Sequence, residues 1–204
     1  MSSPSDAPVR APGSHTRSGN AMLRTRAAIL AAAEDCVARV GVRRTTMSEV
    51  SAAGGIAKAT LYNHFRAKPD LLEGLLLARI DGLADRGAQT GGVAAALGLV
   101  ADELAASPAL RRAAADEPEV VAALVQPGEG RAWQAARAAV VRVLTSSGAG
   151  ADAAAVDVVL RWLLAQAVAP ATPAEVAGGA RLLAAALTGT GAPSPGAGLG
   201  WPGS

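Results

Sequence analysis

TMSEVSAAGGIAKATLYNHF, residues 46–65, is the stretch from which the rest of the chain can be read. It parses as two short helices joined by a tight turn. Thr46 stands before the first helix and Glu49 follows three residues later. This is the capping-box pattern, in which each side chain satisfies the other residue's free backbone N–H. Val50 and Ala53 fall on one face of that helix. Gly54-Gly55 supplies the turn, because glycine tolerates left-handed backbone angles, and Ile56 follows as an apolar plug. The second helix is expected from about Ala57 to Phe65. Leu61 and Phe65, four apart, face inward, while Lys58, Thr60, Tyr62, Asn63 and His64 lie on the other face. A short helix with an apolar inner face and a cationic, hydrogen-bonding outer face suits the major groove of DNA.

Each outer position carries its own chemistry. Lys58 brings a mobile point charge for a phosphate or a guanine edge. Thr60 offers a hydroxyl to phosphate or a methyl to thymine. Asn63 has the amide needed for bidentate adenine reading, or it approaches phosphate. Tyr62 and His64 either bond phosphate or pack within the helical unit. Arg43 and Arg44, just before Thr46, either touch the DNA backbone or lie solvated. Lys68, just after the second helix, is placed to clasp a phosphate. The expected DNA-facing set is therefore Arg43, Arg44, Thr46, Lys58, Ala59, Thr60, Tyr62, Asn63, His64 and Lys68.

Thr46-Met47, the Gly55-Ile56 turn, TLYNHF at 60–65, and Lys68 followed by Asp70-Leu71-Leu72 together resemble the TetR family of bacterial transcriptional repressors. The resemblance covers residues 23–83. It implies an all-helical homodimer that binds double-stranded DNA and is released by a small-molecule effector. In that family the positions of Tyr62 and His64 contact the DNA backbone. Two residues depart from the pattern: Ala57 replaces a serine-like cap and Ala59 replaces glycine. Loss of the cap is expected to cost about 0.5–2 kcal/mol of local helix stability.

Upstream, residues 1–22 are rich in Ser, Pro, Gly and Ala and read as a disordered tail, or as a basic arm through Arg10 and Arg17. Residues 23–40 form a helix with a stripe of Ile29, Ala33, Cys36 and Val40, ended by Gly41. Cys36, the single cysteine, reads as a small buried hydrophobe, excludes an internal disulfide and fits a reducing cytoplasm. Pro69 and Asp70 suit the first turn of a fourth helix, which runs through Leu71, Leu75 and Ile80 to about Arg86. That helix begins in the unit spanning 23–70 and ends in the next, spanning 71–188.

Half of the 204 residues are hydrophobic and 2% are aromatic. The Ala, Leu and Val that dominate favour close-packed helices over sheet. Charge is uneven: residues 1–70 carry ten Lys/Arg against five Asp/Glu, and residues 71–204 carry nine against twelve. A basic front and a mildly acidic back suit a nucleic-acid reader joined to a part that does not bind it. Further helices are expected near 92–106, 108–115, 118–125, 130–144, 151–168 and 173–187. Residues 189–204, rich in Gly, Pro and Ser, read as a second disordered tail.

From the resemblance, a ligand pocket is expected behind the fourth helix, with Leu76, Ile80, Leu124, Trp133 and Arg137 as its walls. The alternative is that these are ordinary core residues. The helix at 151–168 is apolar nearly all round. With the last helix it is expected to pair with a second copy through Val156, Val159, Leu160, Leu163, Leu164 and Leu182. No metal-binding, nucleotide-binding or catalytic motif is present, so no enzyme activity, cofactor or metal is expected. No apolar run is long enough for a membrane span. The sequence thus predicts an all-α, ligand-responsive DNA-binding regulator. An effector-independent regulator, or a helical interaction protein that has lost DNA binding, remains open beside it.

Overall fold

The computed structural model describes residues 14–120, 128 and 130–189. Regular structure among them is entirely helical. Helix α1 (Ser14–Val40), α2 (Met47–Ala53), α3 (Lys58–His64) and α4 (Lys68–Ala88) come first. They are followed by α5 (Val93–Ala106), α6 (Pro108–Asp116), α7 (Arg131–Ser146), α8 (Ala153–Val168) and α9 (Pro173–Thr188). No single helix among the described residues is long and apolar enough to cross a membrane.

Local chemistry sets the boundaries. Gly41 takes φ 86° after α1, a value that L side chains rarely adopt. The predicted Thr46–Glu49 capping box opens α2. Ser107 accepts from the Leu110 N–H at the start of α6, with Pro108 in the first turn. Asp152 caps α8 by accepting from the Ala155 N–H. A second capping box, Thr172 with Glu175, opens α9. The Thr172 hydroxyl bonds the Glu175 carboxylate and lowers its pKa.

The helices enclose two hydrophobic cores. The first joins α1, α2 and α3 to the beginning of α4 through Ile29, Ala33, Cys36, Val50, Leu61, Phe65 and Leu71. The second is aliphatic and gathers Leu83, Leu97, Val100, Val140, Leu144, Val159 and Leu160 from α4, α5, α7 and α8, with Val176 and Ala180 from α9. Helix α4 belongs to both: Leu71 and Leu75 serve the first core and Leu83 the second. It packs against α1 at one end and against α5 and α7 further along. Gly87 permits the closest approach there. A Cβ at that position would lie 3.2 Å from both Val100 Cγ2 and Val143 Cγ2. Helix α6 reaches back to α1, so the two units touch at a second place.

Two expectations need correction. Residues 14–22 are not part of a tail but extend α1; residues 1–13 lie outside the described residues. The predicted helix at 118–125 is described only at 118–120, where it is helical, and residues 190–204 also lie outside. The larger correction concerns α8. Val156, Val159, Leu160 and Leu163 are buried in the chain's own second core and have no surface to offer a second copy. The outward side of α8 instead shows Val158 and Val168, and α9 shows Leu182 at 75% exposure. Leu164 is half-buried.

Candidate nucleic-acid interface and the chamber behind it

The helix-turn-helix is built around Leu61 and Phe65. Leu61 is fully buried and Phe65 nearly so. Helix α4 crosses directly over the Phe65 ring: a Cβ on Gly74 would come within 2.6 Å of Phe65 Cε1. From α1, the Arg26 guanidinium sits 4.9 Å from the centroid of the same ring, a cation–π contact. The turn between α2 and α3 has Gly55 at φ 61°. Gly54 lies against Ile56 and Ala32; a Cβ there would come within 2.8 Å of Ile56 Cδ1 and 3.1 Å of Ala32 Cβ. The Ser51 hydroxyl donates to the Ile56 carbonyl at 2.6 Å and locks the turn from inside.

This packing fixes which residues of α3 face out. Lys58, Ala59 and Asn63 are exposed. Tyr62 is 49% exposed. Thr60 is half-buried. His64 is half-buried as well, its ring centroid 6.5 Å from that of Phe65. Ala57 makes no side-chain cap, as its residue type dictates. The remaining expected residues have protein partners. The Thr46 side chain is engaged in the capping box. The Arg44 Nε donates to the Val40 carbonyl at 2.9 Å. The Lys68 Nζ donates to the Arg43 carbonyl at 2.8 Å and ties the start of α4 to the turn after α1. Arg43 pairs with Glu119 at 2.6 Å, although both side chains are largely exposed.

One functional contact escaped the sequence reading. Glu117, just after α6, is 5% exposed. Its carboxylate accepts from the backbone N–H groups of Val42 at 3.0 Å and Arg43 at 2.9 Å. Bonds of this charge-assisted kind are the stronger class. Gly41 makes room for it, since a Cβ there would lie 2.8 Å from Glu117 Oε1. A residue of the second unit thus grips the turn that leads into α2. Acids near Pro118 look like ordinary helix-start residues in sequence, and no local signal marks a partner 75 residues away.

Behind this head, α4, α5, α7 and α8 surround an apolar chamber of about 90 Å³. Of the expected pocket residues only Ile80 lines it. Leu76 and Trp133 are half-buried but not on its wall, and Leu124 lies outside the described residues. Arg137 is committed to an ion pair with Asp157 that joins α7 to α8. Other ion pairs hold the surrounding helices. Arg86 Nε meets Glu103 at 2.6 Å between α4 and α5, a bond that draws the Glu103 pKa down. Arg142 of α7 lies 3.4 Å from both Asp81 and Asp85 of α4.

Residues 29–75 match the family model described as bacterial regulatory proteins, tetR family. No curated protein matches the chain. Among solved structures the chain is similar to the TetR family repressor AlkX from Dietzia sp. strain DQ12-45-1b, implicated in biodegradation of n-alkanes. The identity is 19%, covering 79% of this chain and 97% of that one, with a TM-score of 0.62. It is also similar to the transcriptional regulator FadR from Bacillus subtilis in complex with stearoyl-CoA, at 17% identity, 77% and 96% coverage and a TM-score of 0.48. Salmonella enterica GusR shows 21% identity, 82% and 95% coverage and a TM-score of 0.48. The likeness to AlkX shows a shared fold.

Proposed function

We propose that this chain, a member of the tetR family of bacterial regulatory proteins, is a repressor that a small molecule releases from a pseudo-palindromic operator. The observation that carries the reading is the outer face of α3. Lys58, Ala59, Tyr62 and Asn63 stand exposed on a helix whose inner side is sealed by Leu61 and Phe65. That helix enters the major groove. Lys58 and Tyr62 hold phosphates, Asn63 addresses a base edge, and Thr60 and His64 contribute from the helix flanks. Arg43, Arg44 and Lys68 add positive charge beside the groove while bracing the head.

Two heads need two copies. The apolar outward residues Val158, Val168 and Leu182 support a homodimer through the outer faces of α8 and α9. Its two α3 helices then read half-sites about 34 Å apart. A ligand in the chamber displaces α4, whose other end is packed into the head, and through α6 it pulls on the Glu117 grip. Such coupling is typically worth about 1–3 kcal/mol.

The test is a footprint of the purified protein on DNA upstream of its own coding sequence, repeated with Tyr62→Phe. A protected pseudo-palindrome is expected. Affinity should fall by about 10³–10⁵ between 50 and 200 mM salt if about 6–10 phosphates are neutralised. The Tyr62→Phe protein should bind more weakly with an unchanged melting temperature. Salt-independent binding would remove α3 from the groove, and equal affinity of the variant would remove Tyr62 from the contact list.

A further inference from the structure

We propose that the chamber takes an uncharged, saturated hydrocarbon chain and accepts no polar head group within its walls. The proposal deepens the ligand-gated reading, and rests on it only for the regulatory consequence.

The wall is the first observation. It includes Ile80 and Ala84 of α4, Leu104 of α5, Ala139 of α7, and Leu160 and Leu164 of α8. Among the described residues, every side chain on the wall is Ala, Val, Leu or Ile, so none carries a nitrogen, oxygen or sulfur atom. The backbone offers nothing either, because interior helical N–H and C=O groups are bonded to one another. A carboxylate, amine or hydroxyl placed inside would lose its water and find no partner.

The second observation concerns the charges around the chamber. Three sets of ion pairs join its helices: Arg86 with Glu103, Arg137 with Asp157, and Arg142 with Asp81 and Asp85. They clamp the helices from outside and are not aimed inward at a ligand.

Size and shape narrow the class further. The chamber holds about 90 Å³, less than the roughly 150 Å³ apolar cavity that admits benzene. No described wall residue is aromatic, so a flat ring has no stacking surface. The small side chains Ala84, Ala136 and Ala139 contribute to the wall, and a short flexible chain can adapt to so small a void where a rigid ring cannot. Ile80, Leu104 and Leu164 are half-buried, so the void reaches the surface beside them.

The experiment titrates the full-length protein with short n-alkanes, from propane to hexane, and with the carboxylates of matching length. Melting temperature and native mass spectrometry report binding. DNA affinity is measured separately. Alkanes should bind, tightening by about fourfold per added methylene until the chamber is full. Matched carboxylates should bind about tenfold or more weakly. Ala139→Leu fills the void and should abolish alkane binding; if that variant does not fold, Ala84→Val serves in its place.

Carboxylates binding as well as alkanes, no alkane binding at all, or a filled variant that binds like the parent would each overturn the proposal. An alkane that binds without changing DNA affinity supports the chamber's chemistry and sinks the gating. A carboxylate that releases DNA does the reverse.

Discussion

The head and the body of this molecule are both small helical cores, yet they are closed in opposite ways. The head is built around one aromatic ring. Phe65 is covered by a cation from α1 and by a glycine of α4 that leaves no spare space. In the body the aromatic rings lie at the margin of the core: Trp162 is half-buried beneath Gly179 of α9, where a Cβ would come within 2.8 Å of its Nε1. The body's buried core is aliphatic, its helices are cinched by ion pairs, and alanines of α4 and α7 line its chamber. Dense packing fixes a side chain's direction, and a DNA reader needs that. Loose packing costs stability but leaves room for a guest and for the helix shifts that follow its entry. Rigidity therefore sits in the helix-turn-helix head, and room for adjustment sits in the body.

The contrast can be broken from the head outward. Leu61→Ala has the largest expected effect. Leu61 is fully buried, and the dense surroundings cannot collapse onto the gap. The loss should be about 2–5 kcal/mol, read from urea unfolding. A loss below that range would mean the head yields as readily as the body.

Glu117→Gln comes next and probes the junction. The amide keeps one acceptor but turns an NH₂ group toward the second backbone N–H. About 1.5–3 kcal/mol should be lost, with faster hydrogen exchange at the amides of Val42 and Arg43. Unchanged exchange there would show that the grip does not hold the turn.

Glu103→Gln has the smallest effect and sharpens the view of the body. The hydrogen bond from Arg86 lowers the Glu103 pKa. The pair's contribution is therefore fully present above the ordinary glutamate value of about 4.3 and is lost as pH falls through the lower folded value. The pair is partly exposed, so the variant should be less stable at neutral pH by only about 0–1 kcal/mol. That difference should vanish in acid. A difference that persists in acid would mean the side chain acts through packing instead.

The same contrast explains what could be read from residues alone. In the head each position has a residue type with one job: Thr46 with Glu49 for a cap, Gly55 for a positive φ, Leu61 and Phe65 for the inner face. In the body, Ala, Leu and Val alternate on nearly every side of a helix. Periodicity finds the helix but not which of its apolar sides meets its own body. Val159 and Leu160 turn inward and Val158 outward, although the three are consecutive and alike in polarity. Arg137 looked available to a ligand because Asp157, its partner, lies on a different helix. Glu117 was hidden for the same reason: its role exists only once α6 has been folded back against α1.

The alanines of the chamber have one more consequence. Ala84, Ala136 and Ala139 face the void from helices whose ion-pairing residues lie elsewhere on their surfaces. Exchanging one of them for valine or leucine reshapes the lock without disturbing the hinge or the key-holder. On the ligand-gated reading proposed above, single-residue steps of this kind would move the chamber toward a shorter guest while the DNA-facing residues of α3 stay as they are.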